Sequence, residues 1–138
     1  MYVASSWRNI VQPNVVSILI EAGHEVYDFR NPNQKDAGFH WSDIDTDWEE
    51  WSSDKLIDGL QHPLASNGFK TDMEGLDWAD AVVMVMPCGR SSHLELGYAV
   101  GKKKRTVILL SQSEPELMYK MADYLVTEID QMLIALEA

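Results

Sequence analysis

The feature that most constrains the fold is an apolar run without polar alternation, Val82–Met86, which breaks at Pro87 into a turn of small and polar residues. Such a run is typical of a central strand in a parallel sheet, because both of its faces are covered. The turn leads directly into a helical pattern, Ser91–Gly101, that carries one acidic residue, Glu95. We expect this carboxylate on the first turn of the helix, at the carboxyl end of the strand, where open α/β sheets bind ligands.

Strand and helix patterns alternate along the rest of the chain. Met1–Ala4 and Glu25–Phe29 predict strands joined by a helix that Asn9 or Asn14 can cap, so the chain opens as a βαβ unit. Later strands are expected at Thr106–Leu110 and Tyr124–Val126, and helices from Ser53 or Asp54 to about Leu60 and at Ser66–Trp78, Glu114–Ala122 and Glu128–Leu136. We therefore predict a single α/β domain over residues 1–138. It is a three-layer sandwich with a five-stranded parallel sheet of order 2-1-3-4-5, as in Rossmann-like and flavodoxin-like folds.

Residues 30–65 form an aromatic and acidic insert in this pattern, with Trp41, Trp48 and Trp51 within about ten residues. One interpretation is a local aromatic core that pins a solvated loop. The other is a lid that excludes water and contacts a ligand, since long loops in compact domains are often functional. Trp41 is the candidate contact in that second interpretation.

Composition narrows the classes of partner. Apolar residues make up 46% of the 138 residues and charged residues 24%, which is ordinary for a globular domain. The net charge of -11 argues against a nucleic-acid duplex or an anionic membrane as the main partner. Cys88 is the single cysteine, which fits a reducing cytoplasm, and we expect no signal peptide or membrane span. His40 and His93 have no partners at metal-ligand spacing, so no metal or cofactor is expected.

The predicted strand order brings two distant loops together. The switch point of a 2-1-3-4-5 sheet lies between the carboxyl ends of strands one and three. The loops Ser5–Asn9 and Pro87–His93 should therefore face each other across one crevice. The candidate binding residues in these loops are Ser5, Ser6, Trp7, Arg8, Gly89, Arg90, Ser91, Ser92 and His93.

The turn before the helix has the features of an anion site. A helix N-terminus offers free backbone N–H groups, and here Gly89, Arg90 and the hydroxyls of Ser91 and Ser92 surround it. These groups suit a phosphate or a carboxylate. The alternative is ordinary helix capping, with Arg90 in solvent.

Two carboxylates could share the same crevice. Glu95 alone is more typical of a residue that pairs with the helix dipole than of a catalyst. Asp72 lies on the helix before the central strand, from which its side chain could approach Glu95. A pair of carboxyl groups at an anomeric carbon is the recurring arrangement for cleavage of glycosidic bonds.

These residues resemble a known family. The segment from Asp72 through Asp80 to Ser92-His-Leu-Glu-Leu-Gly-Tyr-Ala99 is similar to the nucleoside 2-deoxyribosyltransferases and the related 2′-deoxynucleoside 5′-monophosphate N-glycosidases. Tyr2–Trp7 resembles the first strand and loop of that family. Glu116–Tyr119 resembles the stretch through which a neighbouring subunit completes the pocket. The resemblance does not extend over residues 30–65.

The resemblance implies a mechanism and an assembly. Glu95 would attack the anomeric carbon to form a glycosyl-enzyme ester, and Asp72 would act as acid or base. Tyr2 would orient Glu95, and Trp7 would stack on the base, while Tyr98 of the matched motif is a further candidate substrate contact. The partners implied are a small nucleoside or nucleotide and other copies of the chain, as a homodimer or a higher homo-oligomer.

One position departs from the transferase pattern. Transferases usually have an Asp six residues before the catalytic Glu, where this chain has Gly89. Arg90, Ser91 and Ser92 are instead similar to the phosphate-binding loop of the monophosphate N-glycosidases. This favours a 5′-monophosphate substrate.

Two other functions stay open. The same fold could serve as a non-catalytic nucleotide-binding or sensing module, with the tryptophan-rich insert as its contact surface. It could also cleave the nicotinamide bond of NAD-like dinucleotides, which needs the same carboxylate chemistry and a larger pocket.

Overall fold

Five strands form one sheet in the computed structural model, which describes residues 1–32 and 37–138. The strands are β1 Tyr2–Ala4, β2 Tyr27–Asp28, β3 Ala81–Val85, β4 Arg105–Leu109 and β5 Tyr124–Val126. Their order is β2-β1-β3-β4-β5, and every neighbouring pair is parallel. The predicted fold class and strand order are therefore confirmed. Residues 33–36 of the predicted insert lie outside the described residues.

Five helices flank the sheet in the described ranges: α1 Gln12–Glu21, α2 Ser53–Leu60, α3 Pro63–Trp78, α4 Arg90–Gly101 and α5 Ile129–Glu137. The Asn9 Oδ1 accepts the backbone N–H groups of Val11, the residue before α1, and of Gln12, its first residue, each at 2.8 Å. No helix in the described part of the chain combines the length and apolar character that crossing a membrane requires.

Three elements differ from the predictions by more than one residue or in type. Strand β2 pairs with β1 only over Tyr27–Asp28, because the Asp28 carboxylate accepts the N–H of Arg30 at 2.9 Å and turns the chain. Helix α3 begins at Pro63, since proline at a first helical position forfeits no hydrogen bond. The segment predicted as a helix at Glu114–Ala122 is a 3₁₀ turn, Leu117–Met121, at whose start the Glu116 side chain accepts the N–H of Met118 at 3.0 Å.

Alternation along the strands sends successive side chains to opposite layers. Val3, Val83 and Val85 pack against α1 and α5. Tyr2 and Met84 point to the other side, where they pack against α3 and α4. The first strand therefore directs the Tyr2 ring toward the two helices that carry Asp72 and Glu95.

The insert folds around its own aromatic side chains. Trp41 lies edge-on to Phe39 and Trp51, with ring centroids 4.9 and 5.6 Å apart. The indole N–H of Trp51 donates to Asp45 at 2.8 Å. A Cβ on Gly59 of α2 would lie 2.5 Å from the Trp51 ring, so this glycine makes room for it. These contacts give Trp41 a packing role within the insert.

Candidate active site

The two predicted loops meet at the carboxyl ends of β1 and β3. The Ser5 hydroxyl donates to the Val85 carbonyl at 2.8 Å. The Asn9 side-chain amide donates to the carbonyls of Val85 and Pro87 at 3.3 and 3.0 Å. These bonds join segments about eighty residues apart in sequence and fix the crevice at the switch point of the sheet. They also commit the hydroxyl hydrogen of Ser5 to the scaffold.

Glu95 lies on the second turn of α4. The helix begins at Arg90, its first turn holds no acidic residue, and its N-cap residue Gly89 makes no side-chain cap. The prediction of a first-turn carboxylate is wrong, because Glu95 is the sixth residue of the helix and a turn holds about 3.6 residues. Glu95 is therefore too far along the helix to cap it or to pair with its N-terminal dipole.

Burial controls the proton affinity of Glu95. The pKa of this carboxyl is raised to about 7, mainly because it loses solvent; the Tyr2 hydroxyl opposes the rise, and the nearby Asp72 carboxyl adds to it. The charged and neutral forms of Glu95 are thus similarly populated near neutral pH. A carboxyl pKa shifted this far by desolvation and a specific neighbour is one sign of a candidate functional site.

The Tyr2 side chain is buried completely, with 0% of its surface exposed. Its hydroxyl finds no partner within hydrogen-bond geometry among the described residues. Burial, followed by the neighbouring Glu95 and Asp72 carboxyls, raises the pKa of this phenol, so it stays protonated. Tyr2 therefore places a protonated O–H group beside Glu95.

Asp72 is held by a residue that the sequence patterns did not single out. The Tyr27 hydroxyl donates to Asp72 Oδ1 at 2.7 Å. Burial raises the pKa of Asp72, and this hydrogen bond lowers it. The Tyr27 ring in turn stacks on the Tyr2 ring, with centroids 5.0 Å apart and planes inclined by 11°. Two tyrosines and two carboxyls thus form one cluster between β1, β2, α3 and α4.

The residues at the N-terminus of α4 differ in their exposure to solvent. Arg90 and Ser91 are exposed, whereas Ser92 is buried with 1% of its surface exposed. His93 contacts the protein through both ring nitrogens, with Nδ1 at 2.7 Å from the Gly89 carbonyl and Nε2 at 2.8 Å from the Tyr119 hydroxyl. These two contacts leave His93 little freedom to bind a substrate anion.

The loop after β1 is clamped by Arg30, a second residue that sequence patterns did not find. Its Nη2 donates to the carbonyls of Ser6, Trp7 and Asn9 at 2.9, 3.0 and 2.8 Å. The Trp7 ring lies 4.2 Å from the His40 ring and is 40% exposed. Trp7 is thus a fixed aromatic surface at the edge of the insert, whereas Arg8 extends into solvent.

The remaining candidate, Tyr98, lies one helical turn beyond Glu95. Its hydroxyl donates to the Asp77 carboxylate of α3 at 2.6 Å. This bond ties α4 to α3 and occupies the hydroxyl with a protein partner.

A cavity of about 250 Å³ adjoins Asp72. Its apolar walls include Phe29, Phe39 and Leu64, and its polar groups include Asn67. Such a mixture suits a flat heterocycle with hydrogen-bonding edges. A larger cavity of about 400 Å³ lies between the insert and α2, but it contains none of the candidate residues.

The described residues contain no group of three or more His, Cys, Asp or Glu side chains arranged to hold a metal ion. Comparison of the chain with protein-family models gives no match, and comparison with curated proteins gives no significant match. The functional assignment therefore depends on the geometry of the site.

Proposed function

We propose that this protein cleaves the N-glycosidic bond of a (deoxy)nucleoside or its 5′-monophosphate, with Glu95 as the nucleophile. The observation that carries the proposal is the partly buried Glu95 carboxyl near the switch point, whose pKa is raised to about 7, with the Asp72 carboxyl and the protonated Tyr2 hydroxyl beside it. Helix capping does not account for this carboxylate, and neither does a salt bridge among the described residues.

The chemistry balances with these groups alone. A Glu95 carboxylate oxygen attacks the anomeric carbon, and the carbon–nitrogen bond breaks with its electron pair on the base. Asp72, whose pKa burial raises, donates a proton to the leaving base. Water then attacks the glycosyl ester while Asp72 takes up its proton, which releases the sugar and restores Glu95. If a second base attacks instead of water, the reaction is a transfer.

The Tyr2 hydroxyl stabilises the ionised nucleophile in this scheme. A phenol that stays protonated can donate to the Glu95 carboxylate whenever that group is charged. The developing positive charge on the sugar favours the same ionised state of Glu95. The carboxylate is thus stabilised most as the carbon–nitrogen bond breaks.

Recognition of the base and of the phosphate would fall to two separate places, the cavity beside Asp72 and the N-terminus of α4. The cavity beside Asp72, with its aromatic walls, has a volume suited to a nucleobase. The exposed Arg90 and Ser91, with the free N–H groups of α4, would hold a 5′-phosphate. Arg8 from the facing loop would add a second positive charge.

We also propose that the chain works as a homodimer or a higher homo-oligomer. Apolar side chains near the α4 N-terminus are exposed, with exposed fractions of 76% for Leu94 and 75% for Leu117. A second copy would cover them beside the crevice. A monomeric mass by light scattering at micromolar concentration would exclude this assembly.

Mass spectrometry of the intact protein tests the reaction. The protein is incubated with a panel of nucleosides, deoxynucleosides and their 5′-monophosphates, and free base is measured by chromatography. We expect base release and a sugar-sized mass increment on the peptide that contains Glu95. The Glu95→Gln variant should lose base release by about 10³-fold or more, because it removes the nucleophile.

Glu74→Gln provides the matched control, since Glu74 is an exposed carboxylate on α3. This variant should release base at the wild-type rate. Normal base release by a folded Glu95→Gln protein would disprove the assignment. Binding of nucleotides without any base release across the panel would favour the non-catalytic binding module.

A further inference from the structure

Tyr27 contacts both Tyr2 and Asp72 in the cluster of two tyrosines and two carboxyl groups. Strand pairing places it opposite Tyr2 in the parallel register, and the two rings stack at 5.0 Å. Its hydroxyl reaches across to α3 and donates to Asp72 Oδ1 at 2.7 Å. No other hydrogen bond reaches the Asp72 carboxyl within residues 1–32 and 37–138.

The helix that carries Asp72 makes room for this ring. Gly75 lies one turn after Asp72 on α3, and a Cβ at that position would lie 2.7 to 2.8 Å from Tyr27 ring atoms. Contacts that short do not occur without movement of one partner. Glycine is a poor residue for the interior of a helix, so its use here fits a requirement for the close approach of Tyr27.

We propose that Tyr27 is a positioning residue that holds Asp72 Oδ1 with its hydroxyl and leaves Oδ2 free for proton exchange with the leaving base. The proton exchange at Oδ2 rests on the proposed function, whereas the hydrogen bond that orients Asp72 does not. A carboxyl group with one oxygen fixed cannot rotate, so its second oxygen keeps a constant direction relative to Glu95. This fixed direction is what a general acid needs.

The surroundings of Asp72 predict how it responds when this hold is lost. The titratable groups around it are Tyr27 from β2, Tyr2 from β1 and Glu95 from α4, with Asp43 across the cavity. Burial raises the pKa of Asp72, and the donated hydrogen bond from Tyr27 lowers it. Removal of the hydroxyl should therefore raise that pKa further.

Carbon-13 NMR of labelled aspartate carboxyls in the full chain measures this directly, without substrate. Asp72→Asn identifies the Asp72 signal. In Tyr27→Phe the Asp72 titration midpoint should move to higher pH, and in Tyr124→Phe it should stay at the wild-type position. Tyr124 packs against the opposite side of the sheet, so it controls for the loss of any tyrosine hydroxyl. An unchanged Asp72 midpoint in a folded Tyr27→Phe protein would overturn the proposal.

Gly75→Ala gives an independent route to the same result. The new methyl group displaces the Tyr27 ring while leaving its hydroxyl in the protein. Circular dichroism checks the fold, and the Asp72 midpoint should again move upward. If Gly75→Ala folds and leaves the midpoint unchanged, the ring is not held as proposed.

Kinetics separates positioning from a structural role. Tyr27→Phe should lower kcat by about tenfold and leave KM nearly unchanged, because the hydrogen bond acts on the proton donor and not on binding. A raised KM with wild-type kcat would overturn the positioning role. If the wild type releases no base at all, the proposed function fails, and the NMR comparison still decides whether Tyr27 holds Asp72.

Discussion

The two sides of the sheet differ in what they bury. On the side of α1 and α5, Val3, Val83 and Leu19 are each 0% exposed and meet other apolar side chains. On the side of α3 and α4, Tyr2 is equally buried, yet its hydroxyl lies near two carboxyl groups. The first side stabilises the fold through apolar contact. The second gives up stability by keeping ionisable groups out of water.

The largest expected change is a loss of folding stability, caused by a substitution on the side of α1 and α5. Leu19→Ala removes a fully buried side chain and should lower the free energy of unfolding by about 2–5 kcal/mol. The loss should be the same at pH 5 and pH 8, because no titratable group is involved. Urea denaturation at both pH values measures it. If the destabilisation by Leu19→Ala changes with pH, the apolar side of the sheet is coupled to the ionisable groups on the other side.

A substitution of Glu95, on the side of α3 and α4, should raise the free energy of unfolding instead of lowering it. The pKa of Glu95 is about 7 in the folded chain, against an ordinary value of 4.5. The folded state therefore binds more protons than the unfolded state between these values, and stability falls as pH rises through that window. Glu95→Gln imitates the neutral acid, so it should be more stable than the wild type by up to about 3 kcal/mol at pH 8.

The same gain should disappear at low pH. Near pH 4 both the folded and the unfolded wild type carry a largely neutral Glu95, and the variant should then match the wild type. Thermal unfolding across pH 4–8 measures the difference, with Glu74→Gln as the exposed control. A destabilised Glu95→Gln protein at pH 8 would show that the charged carboxyl stabilises the fold.

The smallest effect concerns the rate. The proposed base release would need an ionised Glu95, so kcat/KM should fall about tenfold between pH 8 and pH 6 if the pKa near 7 governs it. The titration belongs to the coupled Glu95–Asp72 pair, so Asp72→Asn should move the midpoint downward. Initial rates over pH 5–9 provide the measurement. A rate independent of pH from 5 to 8 would separate catalysis from this pair.

The fold could be predicted largely from local patterns. The uninterrupted apolar run near Val83 identified the central strand, and alternating strands and helices gave the parallel order. Bounds were less accurate where tertiary contacts decide them. Strand β2 is limited to Tyr27–Asp28 by a turn that the Asp28 side chain makes, and α3 gains a turn because Pro63 starts it.

The site could be predicted only in part. Topology implied that the loops at Ser5 and Pro87 meet, and hydrogen bonds join them. The Tyr27–Asp72 bond spans 45 positions in the sequence, so no local pattern signals it. The clamp made by Arg30 depends on where three carbonyl groups lie after folding. Gly75, within a helical pattern, was the one sign in the sequence that another residue packs closely against α3.

The sequence by itself determined the strand order and which strand residues point to each layer, because hydrophobic periodicity is a local property of the chain. Only the tertiary structure decided that Glu95 is desolvated, that Tyr27 holds Asp72 and that the Tyr2 hydroxyl lacks a partner within hydrogen-bond geometry among the described residues. Proton affinity depends on burial and on charges brought close by folding. A sequence states which groups can ionise, and the packed structure sets the pH at which they do.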